Sequence, residues 1–332
     1  MPTIVDLHYF QSLPLDIKVS MTITRIREWV NYFGVSGVYV SFSGGKDSTV
    51  LLHIARSIYP DIPACFVDTG LEFPEIKSFV KSFDNVDIIR PKKTFKQVIC
   101  DYGYPFISKE IARKLFYYRN GSRWALKYSD PNFKPQYQFY KYIPITKCDF
   151  ILSSSCCDVM KKNPVHLYSR NTGRMALTAQ MAIESSLRRQ KWLQFGCNVF
   201  DLKNPISNPM SFWTDQDVLQ YIKENNLPIS SVYGDIVYED FDGQCRLNGC
   251  GYLCTSGCKR TGCVFCGFGA HLEKGSGRFV LLKRSHPKLY QYCMGGGSYD
   301  INGIWKPDNN GLGMYHVISE LNNIFGSDFI KL

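Results

Sequence analysis

A short segment near the amino terminus has the composition of a phosphate-binding loop. It follows a β-rich run, precedes apolar residues at helical spacing, and comprises Ser43, Gly44, Gly45, Lys46, Asp47 and Ser48. Backbone amides at a helix amino terminus bind phosphate, glycine lets the backbone approach it, and lysine neutralises its charge. The spacing is not that of a Walker loop. We predict a nucleotide phosphate site here, with Lys46 and Asp47 as catalytic residues and Asp47 beside Mg²⁺.

Cysteine is the second residue type that could take part in chemistry, and its distribution along the chain favours metal binding over disulfides. The chain has 13 cysteines, and six of them lie from Cys245 to Cys266. The adjacent pair Cys156 and Cys157, together with the later pair Cys263 and Cys266, supplies four thiolates for one metal site. Their spacing is compatible with both zinc and a 4Fe-4S cluster.

Four further cysteines form a second set: Cys245, Cys250, Cys254 and Cys258. A separate structural zinc, alternative ligands of the first metal site and free thiols that pass sulfur are all compatible with their spacing. We favour a structural metal, so a second metal site is expected here.

The elements that must position these residues alternate between strands and helices. Strands are predicted over 37–42, 62–67 and 86–89, and helices over 14–33, 48–58, 75–83, 95–102, 175–192, 214–225 and 317–325. This alternation implies an α/β fold with a doubly wound parallel sheet, whose ligands lie beyond the carboxyl ends of the strands. Trp213 and Val218 are expected in its core.

Composition and charge limit the partners. The chain has 332 residues, of which 45% are hydrophobic, so it can bury a large core. It has neither an apolar run of roughly 18 residues nor a secretory signal pattern, so we expect a cytoplasmic protein without a membrane partner. The net charge of +10 suits a polyanion such as ATP or a nucleic acid. The basic, tyrosine-rich stretch 113–141 would suit a nucleic-acid strand.

Motifs along the chain resemble known families. The loop resembles the PP-loop of the ATP pyrophosphatase superfamily, which forms adenylates and releases pyrophosphate. Residues 68–75 resemble the DTG-x-x-FPE segment of the phosphoadenosine phosphosulfate (PAPS) reductase family, 184–188 its E-S-x-x-R, and 208–218 its P-L-x-x-W-T-x-x-D-V. The resemblance covers roughly 38–269 and implies an adenine nucleotide α-hydrolase-like fold. It implies that Asp68, Thr69 and Gly70 lie near the nucleotide and that Arg188 contacts phosphate or sulfate.

The first cysteine set carries a further resemblance. The pattern CC-x-x-x-K-x-x-P, with a distant G-C-x-x-C, is similar to the iron-sulfur ligation of assimilatory adenylylsulfate reductases. It implies a 4Fe-4S cluster on Cys156, Cys157, Cys263 and Cys266, with Lys161 between cluster and substrate as a catalytic residue. The expected organisation is a helical segment over 1–35, a PP-loop domain over 36–235 and a Cys-rich, metal-binding C-terminal segment over 236–332.

Two departures from the reductases guide the functional hypothesis. Sulfonucleotide reductases usually lack the Lys-Asp pair, which this loop keeps, and they end in a Glu-Cys-Gly-Leu-His tail that is absent from 325–332. The leading hypothesis is therefore an ATP-dependent adenylyl and sulfur transferase, similar to iron-sulfur tRNA thiolases and the DNA phosphorothioation sulfurtransferase. Its acceptor would be a nucleic acid and its sulfur donor a cysteine desulfurase.

Two alternatives remain open. The first is a divergent PAPS or adenylylsulfate reductase in which Cys293, or a member of the second cysteine set, replaces the tail thiol. The second is a nucleotide-sensing or nucleic-acid-binding module with an idle loop.

Overall fold

A computed structural model describes residues 2–130, 132–133, 139–239, 251–273, 275 and 277–332, and the backbone alone of Cys245–Arg246. These residues form two compact units. The first comprises Met1–Asp68, Glu72–Arg90 and Pro164–Thr261, and the second comprises Thr69–Leu71, Pro91–Asn163 and Gly262–Leu332. Each unit combines stretches that are distant in sequence, whereas the three segments expected from the sequence follow one another along the chain.

Helices and strands alternate along most of the described chain. The helices are α1 (Ile4–Ser12), α2 (Leu15–Phe33), α3 (Lys46–Ile58), α4 (Pro74–Val80), α5 (Phe95–Tyr102), α6 (Lys109–Arg119), α7 (Arg123–Ser129), α8 (Asn163–Thr172), α9 (Ser186–Phe195), α10 (Asp215–Glu224), α11 (Arg278–Ser285), α12 (Pro287–Met294) and α13 (Met314–Phe325). The strands are β1 (Val38–Ser41), β2 (Ala64–Val67), β3 (Val86–Ile89), β4 (Phe106–Ile107), β5 (Met175–Leu177), β6 (Asn198–Val199), β7 (Ile206–Ser207), β8 (Ile236–Glu239), β9 (Cys245–Arg246), β10 (Tyr252–Thr255), β11 (Gly267–Phe268), β12 (Ser298–Tyr299) and β13 (Trp305–Lys306).

The first unit is built on a six-stranded sheet with the order β3-β2-β1-β5-β7-β6. All neighbouring strands in it are parallel except β6 and β7. The chain moves from β1 outward to β2 and β3 on one side, and β5 and β7 lie on the other. A parallel sheet whose order reverses in this way has its binding crevice at the carboxyl ends of the two strands flanking the reversal. The predicted α/β fold with a mostly parallel sheet is confirmed, and β1 and β5 flank the crevice.

The predicted helix over 175–192 is wrong in its first part. Met175–Leu177 is strand β5, which pairs with Val38–Val40 of β1, and helix α9 begins only at Ser186. Met, Ala and Leu all favour helices, but pairing with a buried central strand overrides that weak local preference. The correction matters because β5 completes the crevice.

The core of the first unit contains the residues that the sequence placed there. Trp213 and Val218 are 0% exposed, and the indole of Trp213 donates to Thr22 at 2.9 Å. Helix α10 begins with a capping box between Thr214 and Asp217. Asp217 also accepts from the buried Lys18 at 2.8 Å, so this ion pair joins α2 to α10. These contacts fix the amino terminus of α10.

The second unit is mainly helical, with short paired strands. Strand β11 lies parallel to β4, and a Cβ atom on Gly267 would lie 2.3 Å from the ring of Phe106. Glycine is therefore required for β11 to approach β4, directly after Cys266. Among the described residues, none of the helices combines the length and apolarity needed to span a membrane.

Candidate functional site

The segment Ser43–Ser48 connects strand β1 to helix α3, as predicted. Gly44 has a φ of +70°, and a Cβ atom there would lie 2.7 Å from the side chain of Val80. Helix α3 begins at Lys46, and the amides of a first helical turn have no acceptors within their own helix. The loop therefore presents backbone donors and the positive end of a helix dipole at the carboxyl end of β1. Anions bind in this arrangement.

Hydroxyl groups hold the loop in shape. The amide of Ser43 donates to Ser48 Oγ at 3.2 Å, and the amide of Gly45 donates to Ser43 Oγ at 3.3 Å. The amide of Lys46 donates to the hydroxyl of Tyr233 at 3.1 Å. No sequence pattern indicated Tyr233, which lies far along the chain in a turn at Ser231–Tyr233.

Lys46 is buried between two carboxylates. Its ammonium group lies 2.7 Å from Asp47 and 3.0 Å from Asp215, and the residue is 4% exposed. Burial opposes the charged form of Lys46, but the two carboxylates outweigh this effect and raise its pKa. Asp215, at the first position of helix α10, joins the site although the sequence assigned it only to a helix terminus. Lys46 therefore carries a fixed positive charge at the loop.

Arg188 belongs to a second charged group in the same unit. It pairs with Glu184, and Arg260 also contacts that carboxylate, at 3.0 Å. Burial and the charge of Arg260 lower the pKa of Arg188, and the charge of Asp47 opposes that shift. The charge of Asp47 therefore acts on Arg188, and the contact of Arg188 with phosphate or sulfate stays a prediction. The sequence did not indicate Arg260.

A cavity of about 220 Å³ lies where β5, β7 and helix α9 meet. Arg188 and Lys191 supply cations to its lining, Trp192 supplies an aromatic surface, and Thr178 and Asn208 supply polar groups. The cavity therefore shares Arg188 with the surroundings of the phosphate loop.

The DTG motif follows strand β2. The carboxylate of Asp68 pairs with Lys77 at 2.6 Å and with Arg90 at 3.3 Å in the first unit. In the second unit, the hydroxyl of Thr69 accepts from the amide of Leu71 at 3.2 Å, across Gly70. The contact of Asp68, Thr69 and Gly70 with a nucleotide stays a prediction.

The four cysteines of the first set all lie in the second unit. Cys156 and Cys157 precede a π-helical turn, Asp158–Lys162, and Cys263 and Cys266 are joined by a turn with a 3.0 Å backbone hydrogen bond. Burial raises the pKa of Cys156, the charges of the other three thiols raise it further, and Lys161 opposes them. The charges of the other three thiols and of Lys161 therefore all act on Cys156.

Four thiols are the donor type that a soft metal or an iron-sulfur cluster prefers, so the chemistry of this donor set fits such a group. Among the described side chains, no three His, Cys, Asp or Glu residues are arranged as a finished metal site. The 4Fe-4S cluster and zinc therefore both stay predictions for Cys156, Cys157, Cys263 and Cys266.

The second cysteine set is only partly described. Cys254 lies in strand β10, and Cys258 is half-buried, with its thiol pKa raised by burial and by Glu75. Cys250 lies outside the described residues, and only the backbone of Cys245 is described. A metal at this set stays a prediction.

The basic stretch 113–141 forms helices α6 and α7 of the second unit, and residues 131 and 134–138 lie outside the described part. Two basic residues of this stretch make contacts that stabilise the fold. Lys114 is buried and pairs with Glu110, and Arg119 donates to three backbone carbonyl groups between Ile145 and Phe150.

Other residues of these helices face outward. Arg113 and Arg123 are exposed, as are Phe116, Tyr117 and Trp124, of which Trp124 is 46% exposed. We call these five residues the α6–α7 face. It combines cations with aromatic rings.

Known proteins resemble the chain over different spans. A 72-residue segment is 36% identical to an uncharacterized protein of Methanocaldococcus jannaschii, covering 20% of this chain and 18% of that protein. Adenosine 5′-phosphosulfate reductase of Staphylococcus haemolyticus is 25% identical over 63% of this chain and 70% of its own length. The crystal structure of phosphoadenylyl-sulfate reductase from Candida auris, in a phosphate complex, is similar at a TM-score of 0.38 and 15% identity, covering 70% of this chain and 91% of that chain. The chain thus spans less than a fifth of the archaeal relative.

The family comparison covers more of the chain than the archaeal match. The model of the phosphoadenosine phosphosulfate reductase domain matches residues 37–108 and 119–267. This region includes the phosphate loop, the DTG motif, Arg188 and all four cysteines of the first set. Because the match exceeds half of the sequence, the chain belongs to the phosphoadenosine phosphosulfate reductase domain family.

Proposed function

We propose that the protein uses ATP at the phosphate loop to adenylate an acceptor, and that sulfur then replaces the activated oxygen. One observation carries this proposal: the loop keeps a buried lysine, Lys46, at the amino terminus of helix α3, between Asp47 and Asp215. A lysine held there suits the β- and γ-phosphates, which a sulfonucleotide lacks. The loop is thus equipped for a triphosphate.

The charges around the loop support a requirement for Mg²⁺. The cations Lys46, Arg188 and Arg260 are offset by the carboxylates of Asp47, Asp215 and Glu184. A triphosphate would therefore add uncompensated negative charge. Mg²⁺ is typically held by one or two carboxylates together with substrate phosphates. Asp47 and Asp215 would hold it here, after exchanging their contact with Lys46 for the metal.

The reaction has two displacement steps. In the first, an acceptor oxygen bonds to the α-phosphorus of ATP, the bond from that phosphorus to the bridging oxygen breaks, and pyrophosphate leaves. The loop amides, Lys46 and Arg188 stabilise the departing charge. In the second, sulfur at the oxidation level of sulfide bonds to the acceptor atom and AMP leaves with the acceptor oxygen. The exchange requires no net oxidation or reduction.

Features of both units support an acceptor of nucleic-acid type. In the first unit, the cavity beside Arg188 offers an aromatic wall and polar groups. In the second unit, the α6–α7 face presents cations among exposed rings, the combination that binds single strands by phosphate contacts and base stacking.

The cysteines supply the second half of the proposal. A 4Fe-4S cluster on Cys156, Cys157, Cys263 and Cys266 would supply a soft centre with affinity for sulfur. A cysteine desulfurase would be the source of the sulfur, delivered as a cysteine persulfide that two thiols reduce to sulfide while they form a disulfide. Lys161, whose charge acts on Cys156, would hold an anionic group near these thiols.

Sulfonucleotide reduction is the second candidate, favoured by the similarity to the staphylococcal adenosine 5′-phosphosulfate reductase. Cys293 is a poor nucleophile for it, because the residue is 0% exposed and burial raises its thiol pKa. The experiment is to incubate the anaerobically reconstituted protein with Mg-ATP or with sulfonucleotide. Pyrophosphate release supports adenylation, whereas sulfite release without pyrophosphate would favour the reductase. Nucleotide binding without turnover would instead favour an idle sensing module.

Replacing Asp215 with asparagine is expected to raise the Mg²⁺ concentration needed for half-maximal pyrophosphate release. The loss of one anionic ligand should cost roughly tenfold or more in apparent metal affinity. Activity would be titrated against Mg²⁺, with the exposed Glu224→Gln on the same helix as the control. An unchanged titration in Asp215→Asn would remove Asp215 from the metal site.

Replacing Trp124 with alanine is expected to weaken binding of a single-stranded oligonucleotide, because base stacking on an exposed ring is lost. Stacking of about 1–3 kcal/mol corresponds to roughly a fivefold to hundredfold rise in Kd. Fluorescence anisotropy at several salt concentrations would measure this. Tyr32→Ala removes a still more exposed ring from the first unit and should leave Kd unchanged. Equal Kd values for Trp124→Ala and wild type would exclude this face as the binding surface.

A further inference from the structure

The phosphate loop is tied to two hydroxyl groups from distant parts of the first unit. The amide of Lys46 donates to Tyr233 Oη at 3.1 Å, and the same oxygen lies 2.7 Å from Thr261 Oγ1. Tyr233 is 2% exposed, and its own backbone carbonyl accepts from Gly257 at 2.8 Å. The phenol is therefore held firmly at the amino terminus of helix α3.

The amide that Tyr233 occupies is one that an anion would use. Lys46 is the first residue of helix α3, where the amides of Lys46, Asp47 and Ser48 have no acceptor within the helix. Such amides form the anion site of a strand-to-helix loop. Tyr233 Oη thus lies on one donor of the expected phosphate site.

The two hydrogen bonds of Tyr233 Oη differ in quality. The contact with the Lys46 amide, at 3.1 Å, is longer than the usual optimum for N–H···O bonds, whereas the contact with Thr261, at 2.7 Å, is at the optimum for O–H···O bonds. A phosphate oxygen is charged, and charged acceptors bond about twice as strongly as neutral ones. Burial raises the pKa of Tyr233, so the phenol is neutral and cannot match a phosphate.

Resting on the function proposed above, we propose that Tyr233 is a placeholder for a phosphate oxygen of the nucleotide. In the nucleotide-free protein its hydroxyl satisfies the buried amide of Lys46. When the nucleotide binds, that amide changes its acceptor from Tyr233 Oη to a phosphate oxygen. Tyr233 then keeps Thr261 as its hydroxyl partner. The residue is a positioning residue: it keeps the empty loop in its binding shape.

The placeholder has a distinctive consequence for affinity. Wild-type protein must break the bond between Tyr233 and Lys46 before phosphate can take the amide. In Tyr233→Phe the amide has lost that acceptor before binding, so the nucleotide-free state is destabilised and binding is favoured. The value of one neutral hydrogen bond corresponds to a Kd that is roughly fivefold to tenfold lower. A residue that only supports the loop would have the opposite effect.

The experiment is calorimetric titration of inorganic pyrophosphate, with Mg²⁺, into wild type, Tyr233→Phe and Tyr39→Phe. Tyr39 is also fully buried, and its hydroxyl contacts Ser169 at 3.2 Å, so its loss controls for removing a buried phenol. We expect a lower Kd for Tyr233→Phe alone, together with a lower melting temperature without ligand. An unchanged or higher Kd in Tyr233→Phe would overturn the placeholder and leave the proposed function intact. Wild-type protein that binds neither pyrophosphate nor ATP would overturn both the placeholder and the proposed function.

A measurement on wild-type protein covers the case in which Tyr233→Phe does not fold. The amide resonance of Lys46, in protein with ¹⁵N-labelled lysine, should move as pyrophosphate is added, because its acceptor changes from a phenol to an anion. If the variant folds, the resonances of both proteins should coincide at saturation. A Lys46 resonance that does not move at saturation would overturn the placeholder.

Discussion

Replacing Lys46 with alanine is expected to abolish the release of pyrophosphate from ATP, with a loss of roughly 100-fold or more. The ammonium group is buried at the helix terminus between Asp47 and Asp215, so its removal takes away one of the positive charges that stabilise the leaving group. Asp47→Ala should have a similar effect, because it removes a proposed ligand of Mg²⁺. A coupled assay for pyrophosphate measures both losses.

The matched control is a lysine outside the first unit. Lys93 pairs with Asp101 on the surface, so Lys93→Ala should retain full activity. The visible absorbance of reconstituted protein should be the same in all three variants, since each keeps its cysteines. Pyrophosphate release by Lys46→Ala at the wild-type rate would contradict the assignment of the loop.

Replacing Cys157 with serine is expected to remove most of the visible absorbance and acid-labile sulfide of anaerobically reconstituted protein. Cys157 is next to Cys156 and acts on its thiol, and a hydroxyl group is a much poorer ligand for iron than a thiolate. Iron, zinc and sulfide would be measured per chain in wild type and variant. ATP binding should remain, because the phosphate loop lies in the first unit.

Cys100→Ser is the control for this experiment. Cys100 lies in helix α5 and its thiol contacts the carbonyl oxygen of Pro307, so its loss should not change the iron content. Wild-type protein that stays colourless and holds zinc would remove the main support for sulfur insertion. Equal iron and sulfide in wild type and Cys157→Ser would exclude Cys157 as a ligand.

The sequence was sufficient to predict the local parts of this molecule. Strand β1, helix α3 and the turn between them follow from a β-rich run, two glycines and helical spacing within about twenty residues. Helix α10 was predicted because Thr214 and the acidic residues after it are a local capping signal. Strand β5 was missed because only its pairing with β1 makes Met175–Leu177 extended.

In the candidate site, too, the sequence alone predicted residues within one local motif but not residues that come from distant parts of the chain. Lys46 and Asp47 lie in one contiguous motif, so their place in the loop at the start of helix α3 could be predicted. Asp215, Arg260 and Tyr233 reach the site from other parts of the chain. Neither the periodicity nor the spacing of residues in the sequence predicts such contacts, because they arise from the order of the strands and from the turns that follow them. The family resemblance identified Arg188. It did not identify Arg260, whose guanidinium group also contacts Glu184.

The bond of ATP that the protein breaks distinguishes adenylation at the α-phosphorus from the other reactions. Wild-type protein, reconstituted anaerobically, would be incubated with Mg²⁺ and with ATP labelled at either the α- or the γ-phosphate, and the products would be separated. Cleavage at the α-phosphorus predicts that the label of the first nucleotide is recovered in adenylated acceptor together with AMP, and that of the second in pyrophosphate, in equal amounts. Formation of ADP and phosphate, or intact ATP alongside sulfite release from a sulfonucleotide, would contradict the account.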